Sequence, residues 1–269
     1  MSLRINTNVE AFDAHRQLEA TSNKLSQSME RLSSGYRINR AADDAAGLAI
    51  SEKMRGQISG VAQAQRNTQD GISMVQTAEG ALNEVHSMLQ RIRELAVEYK
   101  NGTLSASNRD AIQSEVNQLG SEIERIGTSS QFNSIQLLDA NTTISFQVGA
   151  NDGETIAVST ISLGAVVNAN TISLSASGTT DLSEIDAAID AISSQRAEFG
   201  AVQNRFEHTL SNLAVYQENL TAAESRIRDV DMAAETVELT KNQILSQSGT
   251  AMLSQANQLP QNILSLLKG

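Results

Sequence analysis

Cysteine and tryptophan are both absent from the 269 residues. Without cysteine there is no disulfide scaffold and no thiolate metal site. Aromatic residues make up 3% of the chain, so large flat rings supply little of any core. A thin core of Ala, Leu, Ile and Val is expected instead. The single proline, Pro260, leaves room for long helices. It also suits passage of the unfolded strand through a narrow channel. No run approaches the ~18 apolar residues of a membrane span, so membrane insertion is not expected. The stretch Met1 to Asn8 lacks the continuous apolar core of a cleavable secretory signal. The chain is therefore expected to be cytoplasmic or to be exported without signal cleavage. The formal net charge of −11 makes nucleic acid a poor partner, because phosphate binding needs a positive field. Its simplest role is solubility.

Hydrophobic residues make up 40% of the chain, and their spacing divides it into three parts. Residues 1 to about 138 read as helical. Residues about 140 to 180 are rich in Ser, Thr, Gly and Asn, with alternation of the β type. Residues about 181 to 267 are helical again. The clearest signal is a seven-residue recurrence of Ile185, Ile192, Phe199, Phe206, Leu213, Leu220 and Ile227. A second row holds Ala188, Gln195, Val202, Thr209, Tyr216, Ala223 and Val230. Together they make the a/d seam of a coiled coil, with Gln195 and Thr209 as polar, register-setting interruptions. A helix over about 182–230 would be roughly 75 Å long at 1.5 Å per residue and needs partner helices.

The N-terminal part offers partners. Val75, Leu82, Leu89 and Ala96 recur at seven, as do Ala78, Val85, Ile92 and Tyr99. Asn101-Gly102 ends that helix, and Ser105 to Asn108 supply caps for a further one carrying Ile112, Val116, Leu119, Ile123 and Ile126. In the middle, Ile144, Phe146 and Val148 alternate with polar residues. After the turn Gly149 to Gly153, Ile156 and Val158 do the same, which predicts a β-hairpin. Ser173 to Thr180 reads as a loop.

The chain ends carry narrower stripes: Leu18, Leu25 and Leu32 at one end, and Val237, Ile244 and Ala251 at the other, with Leu259, Ile263, Leu266 and Leu267 beyond. Such helices are marginal alone in water. Both ends are expected to be disordered in a free copy and to fold when copies pack together.

Nothing in the sequence points to catalysis. His15, His86 and His208 have no metal-ligand spacing. There is no phosphate loop, dinucleotide fingerprint or nucleophile elbow. No cofactor is expected. Asp43-Asp44 and Asp231 read as caps of the helices that follow them. Met54, Met74, Met88, Met232 and Met252 read as packing residues.

Four segments resemble one family. They are Leu3 to Asn8, Arg31 to Ile50 (RLSSGYRINRAADDAAGLAI), Gly200 to Phe206 (GAVQNRF) and Ala256 to Leu267 (ANQLPQNILSLL). Their order and length are similar to those of bacterial flagellins, in a minimal form lacking large outer domains. The resemblance implies a mainly α fold: an elongated rod of long coiled-coil helices with a small β-hairpin at its tip. It implies a terminal domain, 1–44 and 231–269, lining a filament channel, and a rod domain, 45–230, with the hairpin region at about 140–180. The implied function is that of a structural subunit, exported and polymerised helically into the extracellular filament for swimming. Implied partners are other copies, an export chaperone and the export apparatus, and hook-associated and cap proteins. An animal Toll-like flagellin receptor is a further one, with Gln90, Arg91, Leu95 and Glu115 at the matching positions. Leu264, Leu266 and Leu267 match the end sensed by cytosolic receptors. Arg91 and Leu95 are expected to point away from the internal seam of Leu89 and Ile92. The alternatives are a hook–filament junction protein, similar at both termini, and a cytoplasmic coiled-coil scaffold.

Overall fold

The computed structural model describes residues 8–167, 173–175 and 181–268, with side chains placed as far as Gln258. Most of the opening motif, part of the Ser173–Thr180 loop and the side chains of Leu264, Leu266 and Leu267 lie outside the described residues. The fold is mainly α. Its elements are α1 (Val9–Ser34), α2 (Ala45–Tyr99), α3 (Ala106–Ser129), β1 (Gln131–Phe132), β2 (Ile135–Gln136), β3 (Thr143–Gln147), β4 (Thr155–Ser159), α4 (Leu163–Val166), α5 (Asp181–Arg228) and α6 (Met232–Lys268).

Local chemistry sets the helix ends. Asn8 caps α1 by accepting from the Ala11 amide at 3.1 Å, and Gly35 ends it at φ +76°, where a side chain would be strained. Asp44 accepts from the Gly47 amide at 2.8 Å at the start of α2. Ser105 caps α3, after Asn101-Gly102 has broken the preceding helix. Asp231 accepts from the amides of Ala233 and Ala234, at 2.9 and 3.2 Å, and starts α6.

The chain forms two compact units. One comprises residues 1–56 and 219–269, the other residues 57–218. The division falls inside α2 and α5, so the first turns of α2 and the last turns of α5 go with the terminal helices.

The second unit holds nearly all of the core. Leu82, Leu89 and Ile92 of α2 pack in one buried cluster with Val116 and Ile123 of α3 and with Ile185, Ile192, Phe199 and Phe206 of α5. The two-stranded antiparallel hairpin β3–β4 pairs Ile144 with Val158 and Phe146 with Ile156. Its Ile156 and Val158 enter the same cluster. Phe146 meets Phe206 edge to face, with ring centroids 5.6 Å apart. Phe206 lies against Gly71, where an added Cβ would come within 2.8 Å of the ring. Two amides pin the hairpin to the helices. Asn67 of α2 donates to the Gln147 carbonyl at 3.0 Å, and Gln195 of α5 donates to the Ser159 carbonyl at 3.0 Å. Gln195 thus breaks the apolar seam because it holds a strand edge. Thr209 satisfies itself by donating to the Arg205 carbonyl of its own helix.

The structure differs from the sequence reading in two places here. The region before residue 138 is not helical throughout. After α3 a second small hairpin, β1–β2, turns at Asn133 and Ser134, both at positive φ. Leu95 does not point away from the seam but is buried, 2% exposed, in the core cluster.

Candidate assembly surface

Among the described residues, the first unit buries only two apolar side chains, Ile38 and Ala256. Its main feature is the antiparallel pairing of α1 with α6. Asn8 donates to the Ala256 carbonyl at 2.8 Å, Leu18 lies against Gly249, and Arg31 pairs with Glu235 at 3.7 Å. On α1 the half-buried stripe is Ala11, Leu18, Leu25 and Leu32, with Thr21 and buried Ser28 beside it. The facing stripe of α6 is Glu235, Asn242, Gly249 and Ala256, with Leu239, Ser246 and Leu253.

The middle row of the α6 side, Glu235, Asn242, Gly249 and Ala256, is small or polar, and α1 sets a row of leucines against it. The greasier stripe read from the sequence faces the other way: Val237 is 68% exposed and Ile244 58%, and Ala251 is exposed. Phe12 (70%), Val9, Met29, Met232 and Met252 add to this outward apolar surface. Met232 and Met252, expected as packing residues, are therefore not packed within the chain. At the same end of the long seam, Leu213 is buried, Leu220 and Ile227 are half-buried, and Tyr216 is exposed.

The helix pair ends in a cluster of bonds between residues 35–37 and 227–230. The Arg37 amide donates to the Arg228 carbonyl at 2.7 Å, and the Val230 amide to the Gly35 carbonyl at 3.0 Å. The Arg37 guanidinium donates to the Ile227 carbonyl at 2.7 Å. Arg228 lies 4.9 Å over the Tyr36 ring and pairs with Glu52. That bond holds the Glu52 carboxyl below its ordinary range, helped by the charges of Arg228 and Arg55. Nearby, Asp43 accepts from the amides of Arg40 and Asn39 and from the Gln27 side chain. Those bonds hold its pKa down.

On the other unit, Gln90, Arg91 and Glu115 are exposed. Arg91 bridges α2 to α3 through Glu115 at 3.0 Å, and the next arginine, Arg93, bridges α2 to α5 through Asp186. Among the described residues, no group of three His, Cys, Asp or Glu side chains is placed to hold a metal. No described helix is long and apolar enough to cross a membrane.

Residues 5–143 match the model of the bacterial flagellin N-terminal helical region, and residues 182–267 match that of the C-terminal helical region. The chain belongs to the bacterial flagellin family. It is 53% identical to a flagellin of Halalkalibacterium halodurans, covering 98% of this chain and 99% of the relative. It is 47% identical to a flagellin of Bacillus subtilis, covering 99% and 100%. Among solved structures, a crystal structure of Bacillus cereus flagellin superposes with a TM-score of 0.51 at 33% identity, covering 55% of this chain and 88% of that one. This flagellin chain is a structural subunit of the extracellular flagellar filament and not an enzyme. Family membership also implies that it polymerises with itself.

Proposed function

We propose that the paired terminal helices are the part of the subunit that grips neighbouring copies, with residues 1–44 and 231–269 lining the filament channel and residues 45–230 forming the rod around it. One observation carries this reading. Among the described residues, the unit with almost no core of its own also holds most of the exposed large apolar side chains, Val237, Ile244 and Phe12 foremost. A face of one copy meets a different face of the next, a contact that propagates helically without closing. Burial of aliphatic surface at ~25 cal/mol per Å² drives it. The helices α1 and α6 reach full order only once that surface is covered. Before export, a chaperone covers the C-terminal apolar residues, and the chain leaves without cleavage of a signal. Cap and hook-associated proteins meet the same terminal surfaces.

Ile244→Asp tests the reading. Burying an isoleucine contributes roughly 1.5–3 kcal/mol, so the variant's critical concentration for seeded polymerisation should rise at least about tenfold. Its circular dichroism should match that of the native chain, because Ile244 touches no core. Normal polymerisation by the variant would refute the assignment.

A second reading concerns α2 and α3. Exposed Gln90, Arg91 and Glu115 support a docking patch for an animal flagellin receptor. Burial of Leu95 restricts its part to shaping the helix beneath. The side chains of Leu264, Leu266 and Leu267 remain candidates for recognition by cytosolic receptors. Reporter cells given native chain and Arg91→Ala would test the patch, and equal responses to both would count against it.

A further inference from the structure

We infer that Asn101 is a self-modifying residue: its side chain closes on the Gly102 nitrogen, loses ammonia and reopens as an isoaspartyl link between α2 and α3. Asn101 is the one asparagine of the chain that is followed by glycine. With no Cβ beside it, the Gly102 nitrogen can approach the carboxamide closely. Both residues are exposed. Among the described residues the Gly102 amide donates to nothing, so no hydrogen bond has to break to free it.

The loop around the pair also activates it. Asn101 Oδ1 accepts from the Thr103 amide at 3.2 Å. This Asx-turn folds the carboxamide forward over the Gly102 nitrogen, and the same N–H stabilises the charge that develops on Oδ1 as the nitrogen attacks Cγ. The main-chain carbonyl of Asn101 accepts from the Leu104 amide and from the Arg109 guanidinium, both at 3.3 Å. Arg109 is half-buried, with its guanidinium 6.0 Å over the Tyr99 ring. A cation on that carbonyl draws charge out of the peptide and makes the Gly102 N–H easier to ionise. Arg109 is thus a positioning residue that acts through the peptide.

The chemistry balances with water alone. Hydroxide takes the Gly102 amide proton, the nitrogen bonds to Cγ, and the Cγ–Nδ2 bond breaks as ammonia leaves with a proton from water. Water then opens the cyclic imide. Attack at the main-chain carbonyl, the one Arg109 polarises, breaks its bond to nitrogen and routes the chain through Cγ. The freed α-carboxylate forms against Arg109. The product lengthens the link by a methylene and adds a negative charge. Asn151 lacks this arrangement: it is exposed in the β3–β4 turn, but it precedes Asp152 and its Nδ2 is held by Glu154 at 3.0 Å.

The test follows the full-length chain in warm, mildly alkaline buffer, with and without urea. Peptide mapping by mass spectrometry gives the rate at each asparagine, and labelling by an isoaspartyl methyltransferase counts the rearranged product. In the folded chain Asn101 should convert first, no more slowly than in urea and mainly to isoaspartate, whereas Asn151 should be slowed by folding. Gly102→Ala should abolish most of the conversion while matching the native circular dichroism, because nothing lies within 4 Å of the added Cβ. Arg109→Ala should slow folded Asn101 by about threefold or more, the effect of one lost hydrogen bond. It should also shift the product toward aspartate and leave the rate in urea unchanged. The inference is overturned if another asparagine converts before Asn101, or if Asn101 reacts more slowly folded than in urea; neither outcome needs a variant. It is equally overturned if Arg109→Ala, with native circular dichroism, leaves the folded rate or the product ratio unchanged.

Discussion

Two glycines of α2, nine residues apart, should respond to alanine with opposite signs. At Gly80 an added Cβ meets nothing within 4 Å, so Gly80→Ala gains the helix propensity that glycine forfeits, about 1 kcal/mol. At Gly71 the same atom would lie 2.8 Å from Phe206 Cζ and 3.2 Å from both Cε atoms. Comfortable carbon contacts are about 3.5–4.0 Å, so the ring or the helix must move by close to an ångström. Phe206 has nowhere to go: it is fully buried and wedged by the edge-to-face contact with Phe146. Overpacking of this kind costs roughly 1–3 kcal/mol. After the propensity gain of about 1 kcal/mol, Gly71→Ala should be destabilising by up to about 2 kcal/mol. Urea denaturation followed by circular dichroism measures both changes. Adding Phe206→Leu to Gly71→Ala should recover part of the loss, a coupling that a double-mutant cycle isolates. The reasoning fails if both alanines stabilise equally, or if the Phe206 change is additive with Gly71→Ala.

Acid should loosen the 35–37/227–230 cluster. The Asp43 and Glu52 carboxyls both titrate below their ordinary values in the folded chain, so their stabilisation is complete above those values and is lost as pH falls through the folded ones. Protection of the Arg37 and Val230 amides from hydrogen exchange, taken relative to the unfolded chain at the same pH, should therefore fall on acidification below about pH 4. Protection that stays flat across that range in the native chain would contradict the assignment. Asp231→Ala removes the cap of α6 and should cost about 0.5–2 kcal/mol, seen as faster exchange at Ala233 and Ala234; unchanged exchange there would mean the cap is idle. Gln195→Leu leaves the Ser159 carbonyl without its amide, at a cost of roughly 1–3 kcal/mol. Denaturation that matches the native chain would show that the amide does not hold the hairpin.

The long seam on α5 was legible because Ile185, Ile192, Phe199 and Phe206 repeat at the helical period and meet partners within the same chain. The hairpin β3–β4 was legible because alternation and a glycine-flanked turn coincide. Leu95 was misread because a heptad seam is narrower than the face α2 buries. That helix packs against α3 on one side and α5 on the other, as the Arg91–Glu115 and Arg93–Asp186 pairs show, so its buried stripe widens by one position. The β1–β2 turn was missed although Asn133 tolerates positive φ better than most residues, because the pattern on either side is only two residues long. The orientation of α6 was not legible at all. Two of its stripes share the seven-residue period, and hydropathy favours Val237 and Ile244, whereas the chain packs Asn242, Gly249 and Ala256 inward. A pattern of apolar residues shows that a surface is to be covered, but not whether the cover comes from the same molecule.

A subunit that turns its greasy side outward cannot be stored at will. On the proposed assembly, each free copy carries an open invitation to the next, so the pool waiting to be used has to be kept thin or shielded. The same trait makes the finished fibre weakest at its extremity, where the final copy has neighbours on one side alone. Loss by fraying would then begin at the tip and proceed one molecule at a time.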